Sequence, residues 1–84
     1  MSEHKVILSP RSKERALYML EQNKLEFYVA RTASKLDIKG AVRALFQVEV
    51  SKVNTRITKE GKLAIVKLDE GHSAEDLSNR LGIL

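Results

Sequence analysis

Hydrophobic residues recur along this chain with two periods, and each period predicts one type of element. In residues 25–29 every second side chain is apolar, which predicts a strand that buries Leu25, Phe27 and Val29. In residues 11–22 the apolar side chains Ala16, Leu17 and Leu20 follow helical spacing, which predicts an amphipathic helix. A short extended run is predicted for residues 5–8, and Ser9-Pro10 after it is typical of a turn that starts a helix.

A second helix is predicted from Ser34 to Phe46. Ser34 and Asp37 have the spacing of a capping box, in which each side chain satisfies a backbone N–H of the other residue. The apolar stripe of this helix consists of Ile38, Ala41, Val42 and Leu45. Cations recur at every fourth position, and they are Lys35, Lys39 and Arg43. This helix therefore carries a basic row beside its apolar stripe.

A β-hairpin is predicted over residues 47–68, with its turn at Glu60-Gly61. The apolar positions change parity between Val50 and Val53, which predicts a bulge within residues 49–51. Val53 and Ile57 are then expected to face the helices. The opposite face of this strand would present Lys52, Asn54, Arg56 and Thr58.

The last predicted helix begins at Ser73 and ends at Gly82. The complete order is β-α-β-α-β-β-α, and 84 residues are enough for one domain, residues 1–84. We predict an α+β two-layer sandwich, with a small, mostly antiparallel sheet and the helices packed on one of its faces. The other face is expected to be open to solvent or to a partner.

The composition narrows the classes of protein to consider. The chain has no cysteine, which excludes disulfides and thiolate metal sites and favours a reducing compartment. No apolar run approaches the length of about 20 residues that spans a bilayer, and the N-terminus lacks the apolar segment of a signal peptide. We therefore expect a cytoplasmic protein without membrane insertion.

Two basic rows bear on the choice of partner. The net charge is only +4, so the distribution of the cations matters more than their sum. One row is the helical set around Lys39, and the other comprises Lys52 and Arg56 on the strand with Lys59 and Lys62 at the hairpin end. Cations together with an amide and a hydroxyl suit contacts to phosphate and ribose. An ordinary solvated strand face would show the same alternation, and both interpretations stay open at this point.

Catalytic chemistry is disfavoured, and we expect neither an enzyme nor a cofactor or metal. His72, Ser73 and Asp76 are too close in sequence to adopt the facing geometry of a catalytic triad, and a helix cap explains Ser73. The two histidines, His4 and His72, are far apart and lack spaced partners for a metal. Glycine-rich phosphate loops are absent. An acylphosphatase-like fold would need a phosphate-cradling loop after the first strand, and only Arg11 is available there.

Several segments resemble the L-twenty-three family of large-subunit ribosomal proteins. The most specific is the helix IKGAVRALF followed by VEVSKVNT, and the likeness extends to residues 23–29 and to the terminal SAED and LG. It covers nearly the entire chain. The compact length and the C-terminal SAEDLSNRLGI are similar to the archaeal branch of the family.

The resemblance implies a structural constituent of the large ribosomal subunit that binds large-subunit ribosomal RNA. Family members stand beside the exit of the nascent-peptide tunnel, among neighbouring ribosomal proteins. There they offer a docking platform for nascent-chain factors such as signal recognition particle and, in bacteria, trigger factor. Bacterial members also extend the hairpin into a long loop that reaches into the tunnel, whereas the turn at residues 58–62 is short here.

The residues that we expect to contact RNA combine the resemblance with the two basic rows. The resemblance contributes Ser34, Lys35, Lys39, Lys52, Asn54 and Thr55, and the basic rows add Arg43, Arg56, Lys59 and Lys62. The cation-poor C-terminal segment from Asp69 onward is the candidate surface for protein contacts. The alternative is a protein-interaction domain with an incidental basic surface, which predicts tight binding to a protein in the absence of RNA.

Overall fold

The predicted α+β fold and its order of elements are confirmed. The computed structural model describes residues 3–11 and 16–82. Along the chain it contains α1 (Glu3–Val6), β1 (Ile7–Pro10), α2 (Ala16–Glu21), β2 (Lys24–Val29), α3 (Lys35–Phe46), β3 (Val50–Thr58), β4 (Gly61–Leu68) and α4 (Ala74–Leu81). Relative to the predicted order, the single turn α1 is an addition.

The four strands form one antiparallel sheet in the order β1-β2-β4-β3. This order makes β1 and β3 the two edge strands. β3 and β4 form a hairpin, whereas β2 pairs with β4 across more than thirty sequence positions. Since side chains directly opposite each other in an antiparallel pair lie on the same face, the register assigns every described strand residue to one face.

The N-terminal segment differs from its prediction. Residues 5 and 6 belong to the helical turn α1, and the strand begins only at Ile7. Val6 and Ile7 are both buried, whereas adjacent residues of a strand point to opposite faces. A change from helix to strand between them lets both side chains enter the same core, which a continuous strand would prevent. The Ala30 N–H donates to the Val6 carbonyl (2.9 Å) and fixes this junction to the end of β2.

Ser9-Pro10 also differs from its prediction, because it lies within β1 and forms no turn. Pro10 is opposite Phe27 on this edge strand, where the missing N–H of proline is tolerated. The predicted first helix is described as α2 and ends at Glu21, and the predicted helical residues 12–15 lie outside the described part of the chain.

The core lies between one face of the sheet and the helices. The strands contribute Leu25, Phe27, Val29, Val50, Ala64, Val66 and Leu68. Helix α3 buries Ile38, Ala41 and Val42, and α4 adds Ala74 and Leu77, so the predicted apolar stripe is confirmed. Phe27 is fully buried, and its ring stacks on that of Phe46 with 5.6 Å between centroids and 17° between planes.

The opposite face of the sheet is not open across its whole width, contrary to the expectation from the sequence. Leu63 lies on that face by register, between Tyr28 of β2 and Arg56 of β3. Leu63 is nevertheless fully buried and Tyr28 is half-buried, whereas Arg56 is exposed. Across this row the middle of the sheet is covered, and the edge strand β3 is exposed.

Candidate nucleic-acid interface

The edge strand β3 presents the predicted polar face. Lys52, Asn54 and Arg56 are all exposed, and their register partners on β4 place them on the face opposite the core. Val53, which alternates with them, is partly buried against the core. The predicted bulge is also confirmed, because the pairing with β4 shifts register between Val50 and Lys52. The Ser51 hydroxyl donates to the Lys67 carbonyl (3.2 Å) at this bulge.

The hairpin end differs from its prediction at two positions. Ile57 lies on the same face as the core, yet it is 59% exposed, so the prediction that it packs under the helices is wrong. Lys62, opposite Ile57, turns toward the loop before α3, where its ammonium donates to the carbonyls of Arg31 and Ala33. Lys62 thereby ties this end of β4 to the loop before α3. The structure therefore does not bring Lys62 to the polar face with Arg56.

The other residues predicted for this strand and its turn are Thr55, Thr58 and Lys59, and each has a different environment. Lys59 is exposed in the turn of the hairpin. Thr58 donates from its hydroxyl to the Gly61 carbonyl (2.9 Å) and so closes the turn. Thr55 is half-buried and lies opposite the buried Ala64, on the core side of the sheet.

The basic row on α3 is held by a complete capping box. The Asp37 N–H donates to the Ser34 hydroxyl oxygen (3.1 Å), and the Ser34 N–H donates to the Asp37 carboxylate (2.9 Å). The hydroxyl of Ser34 is thus engaged in starting the helix. Lys35 is exposed and Lys39 is half-buried. Arg43 is paired, because its guanidinium contacts a carboxylate oxygen of Glu49 through two nitrogens, at 3.2 and 3.1 Å.

We expect the contribution of the capping box to the free energy of unfolding to depend on pH only under acidic conditions. The Ser34 N–H and then the Ser34 hydroxyl donate to the carboxylate and hold the pKa of Asp37 below its ordinary value. A carboxyl whose pKa is lowered by folding contributes fully above its unfolded pKa of about 4 and loses that contribution as pH falls through the folded pKa. Urea denaturation of the protein and of Asp37→Asn between neutral pH and about pH 2 measures this, and the difference between them should vanish only in acid. A difference that stays constant with pH would contradict the assignment.

Two further cations on the polar face were missed by sequence reasoning. The register places Lys24 of β2, Lys67 of β4 and Lys52 of β3 side by side in one row across the sheet. Lys52 and Lys67 are exposed and Lys24 is half-buried. The period of two along each strand already assigns Lys24 and Lys67 to the face opposite the core. Only the pairing of strands distant in sequence shows that the three lysines are neighbours.

A groove lies at the same end of the sheet. It has a volume of about 570 Å³ and is lined by Ser51 of the bulge, by Lys67 and Leu68, and by the turn residues Asp69, Glu70 and Gly71. Its lining therefore combines one cation with two acidic residues, and it adjoins the lysine row.

Asn23 fixes the loop that borders this groove. Its backbone is left-handed, with φ of 59°, and its side-chain amide donates to the carbonyls of Leu68 (3.2 Å), Asp69 (3.4 Å) and His72 (2.9 Å). Its amide oxygen accepts the N–H of Ala74 (2.8 Å), the first residue of α4. One side chain thereby joins the start of β2 to the end of β4 and the start of α4. Ser73 caps α4 by accepting the N–H of Asp76, as predicted.

The described residues lack two features of other classes of protein. Within residues 3–11 and 16–82, no group of three or more histidine or acidic side chains is arranged to hold a metal ion. None of the helices in these same ranges is long and apolar enough to cross a membrane.

Comparison with known proteins identifies the family. The family model described as Ribosomal protein L23 matches residues 5–75. Two curated relatives are both named large ribosomal subunit protein uL23. The protein of Methanothermobacter thermautotrophicus is 40% identical over 85 residues, which is 99% of each chain. The protein of Picrophilus torridus is 47% identical over 78 residues, which is 92% of this chain and 95% of the relative.

These relatives are archaeal, and the family is a structural, non-enzymatic component of the ribosome in the cytoplasm. The expectations of a ribosomal, cytoplasmic protein that is not an enzyme are thereby confirmed. From the length of the match and the identity to both relatives, we conclude that this chain is an archaeal-type member of the ribosomal protein L23 family, a structural component of the large ribosomal subunit.

Proposed function

We propose that this protein binds large-subunit ribosomal RNA as one domain, residues 1–84, and that the polar face of β3 carries the main contact. The observation that supports this most directly is the exposure of Lys52, Asn54 and Arg56 in a row on an edge strand. An edge strand is accessible from the side as well as from its face. A bulky, folded RNA can therefore approach it without displacing another strand.

The chemistry of the three side chains suits the RNA backbone. Lysine binds phosphate as a compact charge, whereas the planar guanidinium of arginine can bind it through two parallel hydrogen bonds. The amide of Asn54 can donate to phosphate or ribose oxygens and accept from a 2′-hydroxyl. Each of these contacts holds RNA by its backbone and shape, and none of them requires a particular base.

The basic row on α3 extends this interface in the proposal. Lys35 and Lys39 carry charges without an ion-pair partner among the described residues. Arg43 stands close to the start of β3, since its partner Glu49 precedes that strand. Because both side chains of this pair are about half exposed, the pair contributes little to stability. A phosphate can therefore compete with Glu49 for the guanidinium at small cost to the fold.

The same proposal places the protein at the exit of the nascent-peptide tunnel, where it offers a docking surface to signal recognition particle or other nascent-chain factors. Neighbouring large-subunit proteins would contact it there as well. Within the cation-poor segment from Asp69 onward, α4 is the proposed protein-binding side. It carries Glu75 and Asp76 in its first turn.

A double change on β3 tests the RNA contact. We expect Lys52→Ala with Arg56→Ala to weaken binding to large-subunit ribosomal RNA and to lower the salt dependence of the binding constant by up to about two counterion units. The wild-type protein should also prefer this RNA to an unrelated structured RNA of similar length at moderate salt. The measurement is a binding titration with both RNAs across a salt series. Unchanged binding by the variant would exclude β3 as the main contact.

The second candidate function is a protein-interaction domain with an incidental basic surface. Two large apolar side chains favour it, because Leu36 on α3 is 81% exposed and Ile57 on β3 is 59% exposed. This alternative predicts equal affinities for ribosomal and unrelated RNA that fall together as salt rises. It also predicts binding to a ribosomal or targeting protein when RNA is absent.

A further inference from the structure

We propose that the end of the sheet remote from the hairpin turn is a second RNA contact, in which Lys24, Lys67 and Lys52 bind consecutive phosphates of one RNA strand. The inference rests on the proposed function and names a site on the same molecule that the sequence did not indicate. The row lies across the strands, whereas the β3 contact runs along one strand.

The arrangement of the lysines is unfavourable for the free protein. Lys67 has a lysine directly opposite it on each side, Lys24 on β2 and Lys52 on β3. Like charges directly opposite each other destabilise a sheet. The ion pairs between Arg11 and Glu26 and between Arg43 and Glu49 do not involve the row. A polyanion that lies over all three ammonium groups removes this repulsion.

The spacing of neighbouring strands brings the three lysines within reach of consecutive phosphates. Neighbouring strands are about 4.8 Å apart, so the row spans about 10 Å between its outer members. The flexible stems of lysine let the three ammonium groups adjust to the spacing of phosphates. The strand from Lys52 to Thr58 places the row about 20 Å from the hairpin turn. The two ends of β3 therefore contact separate parts of the RNA.

The groove beside Lys67 defines where the rest of the nucleotide goes. Its volume of about 570 Å³ is enough for a sugar and a base. Asp69 and Glu70 line it and repel phosphate, but carboxylates accept hydrogen bonds from a 2′-hydroxyl or a base amino group. The backbone phosphates are therefore confined to the lysine side, and the groove receives the uncharged part of a nucleotide.

The test uses two lysines that the β3 proposal does not involve. We compare the full-length protein with Lys24→Gln plus Lys67→Gln, and with Lys5→Gln plus Arg31→Gln as a control of equal charge whose side chains are exposed elsewhere. Binding to large-subunit ribosomal RNA is titrated across a salt series. For the variant Lys24→Gln plus Lys67→Gln, we expect the magnitude of the slope of log affinity against log salt to decrease by about 1.4 to 1.8. The control should change the slope by less than half of that.

The melting temperature of the free protein is a second measurement, which does not involve RNA. Removing two of the three lysines should raise the melting temperature of the free protein at low salt, and added salt should reduce that difference. If wild type prefers ribosomal RNA but Lys24→Gln plus Lys67→Gln changes the salt slope no more than the control variant does, the proposed lysine row is contradicted. The proposed β3 contact is unaffected by that result. If wild type itself shows no preference for ribosomal RNA, the proposed function is overturned together with this inference.

Discussion

The change Phe27→Ala is expected to lower the free energy of unfolding by about 3–5 kcal/mol, the usual cost of emptying a fully buried aromatic site. Phe27 has no exposed surface and stacks on Phe46, so its removal leaves a cavity between the sheet and α3. Small domains have a total stability of about 5–15 kcal/mol. The loss therefore corresponds to a fall in melting temperature of more than about 10 °C. Urea denaturation followed by circular dichroism measures the effect as a lower midpoint with an unchanged slope.

The change Leu36→Ala is the matched control for Phe27. It also truncates a large apolar side chain, but this one lies on the surface of α3 with 81% exposure. We expect it to change the free energy of unfolding by less than about 0.5 kcal/mol. Equal effects of the two substitutions would mean that the sheet face bearing Phe27 is not the core.

Replacement of Asn23 is expected to have the second-largest effect on stability. Alanine loses the bonds to three carbonyls and leaves the Ala74 N–H without its acceptor. It must also adopt the left-handed backbone that asparagine tolerates, since φ is 59°. Each hydrogen bond contributes about 1 kcal/mol net, and the longest of the four contributes less, so we expect a total cost of about 2–4 kcal/mol for Asn23→Ala. Thermal unfolding of the free protein measures it.

Two glycine variants separate the hydrogen bonds of Asn23 from its backbone conformation. Asn23→Gly keeps the left-handed backbone without steric cost, so it should be less destabilising than alanine by about 1 kcal/mol. Gln47 has the same backbone conformation at the end of α3, with φ of 57°, and its described hydrogen bond there is through its backbone. Gln47→Gly should therefore be neutral or stabilising. If Asn23→Gly is as neutral as Gln47→Gly, the hydrogen bonds of the Asn23 side chain do not stabilise the loop before α4.

The local elements were predictable because their signals are contained in a few neighbouring residues. The capping box of Ser34 and Asp37 and the cap at Ser73 depend on contacts three residues apart. The bulge at Ser51 appears in the sequence as a change of parity. The junction of α1 and β1 was not predictable from a four-residue apolar run, because its conformation depends on burying both Val6 and Ile7 in one core.

The candidate interface was only partly predictable for a related reason. Lys52, Asn54 and Arg56 share a face because they alternate within one strand, and the structure confirms that arrangement. Lys62 alternates with the core residues of β4, and the carbonyls that hold it come from a loop about thirty residues earlier in the chain. Ile57 is exposed although it lies on the core face by register, which the pattern of β3 does not reveal.

By itself, the sequence determined the types and order of the elements from α2 onward, the starts of α3 and α4, and the polar side of β3, because each follows from residues within one or two turns or strand repeats. The tertiary structure alone decided the row of Lys24, Lys67 and Lys52, the burial of Leu63 and the tethering of the loop by Asn23. These features join residues about 15 to 50 positions apart. Their contacts depend on strand order and register, which form only when the whole domain packs.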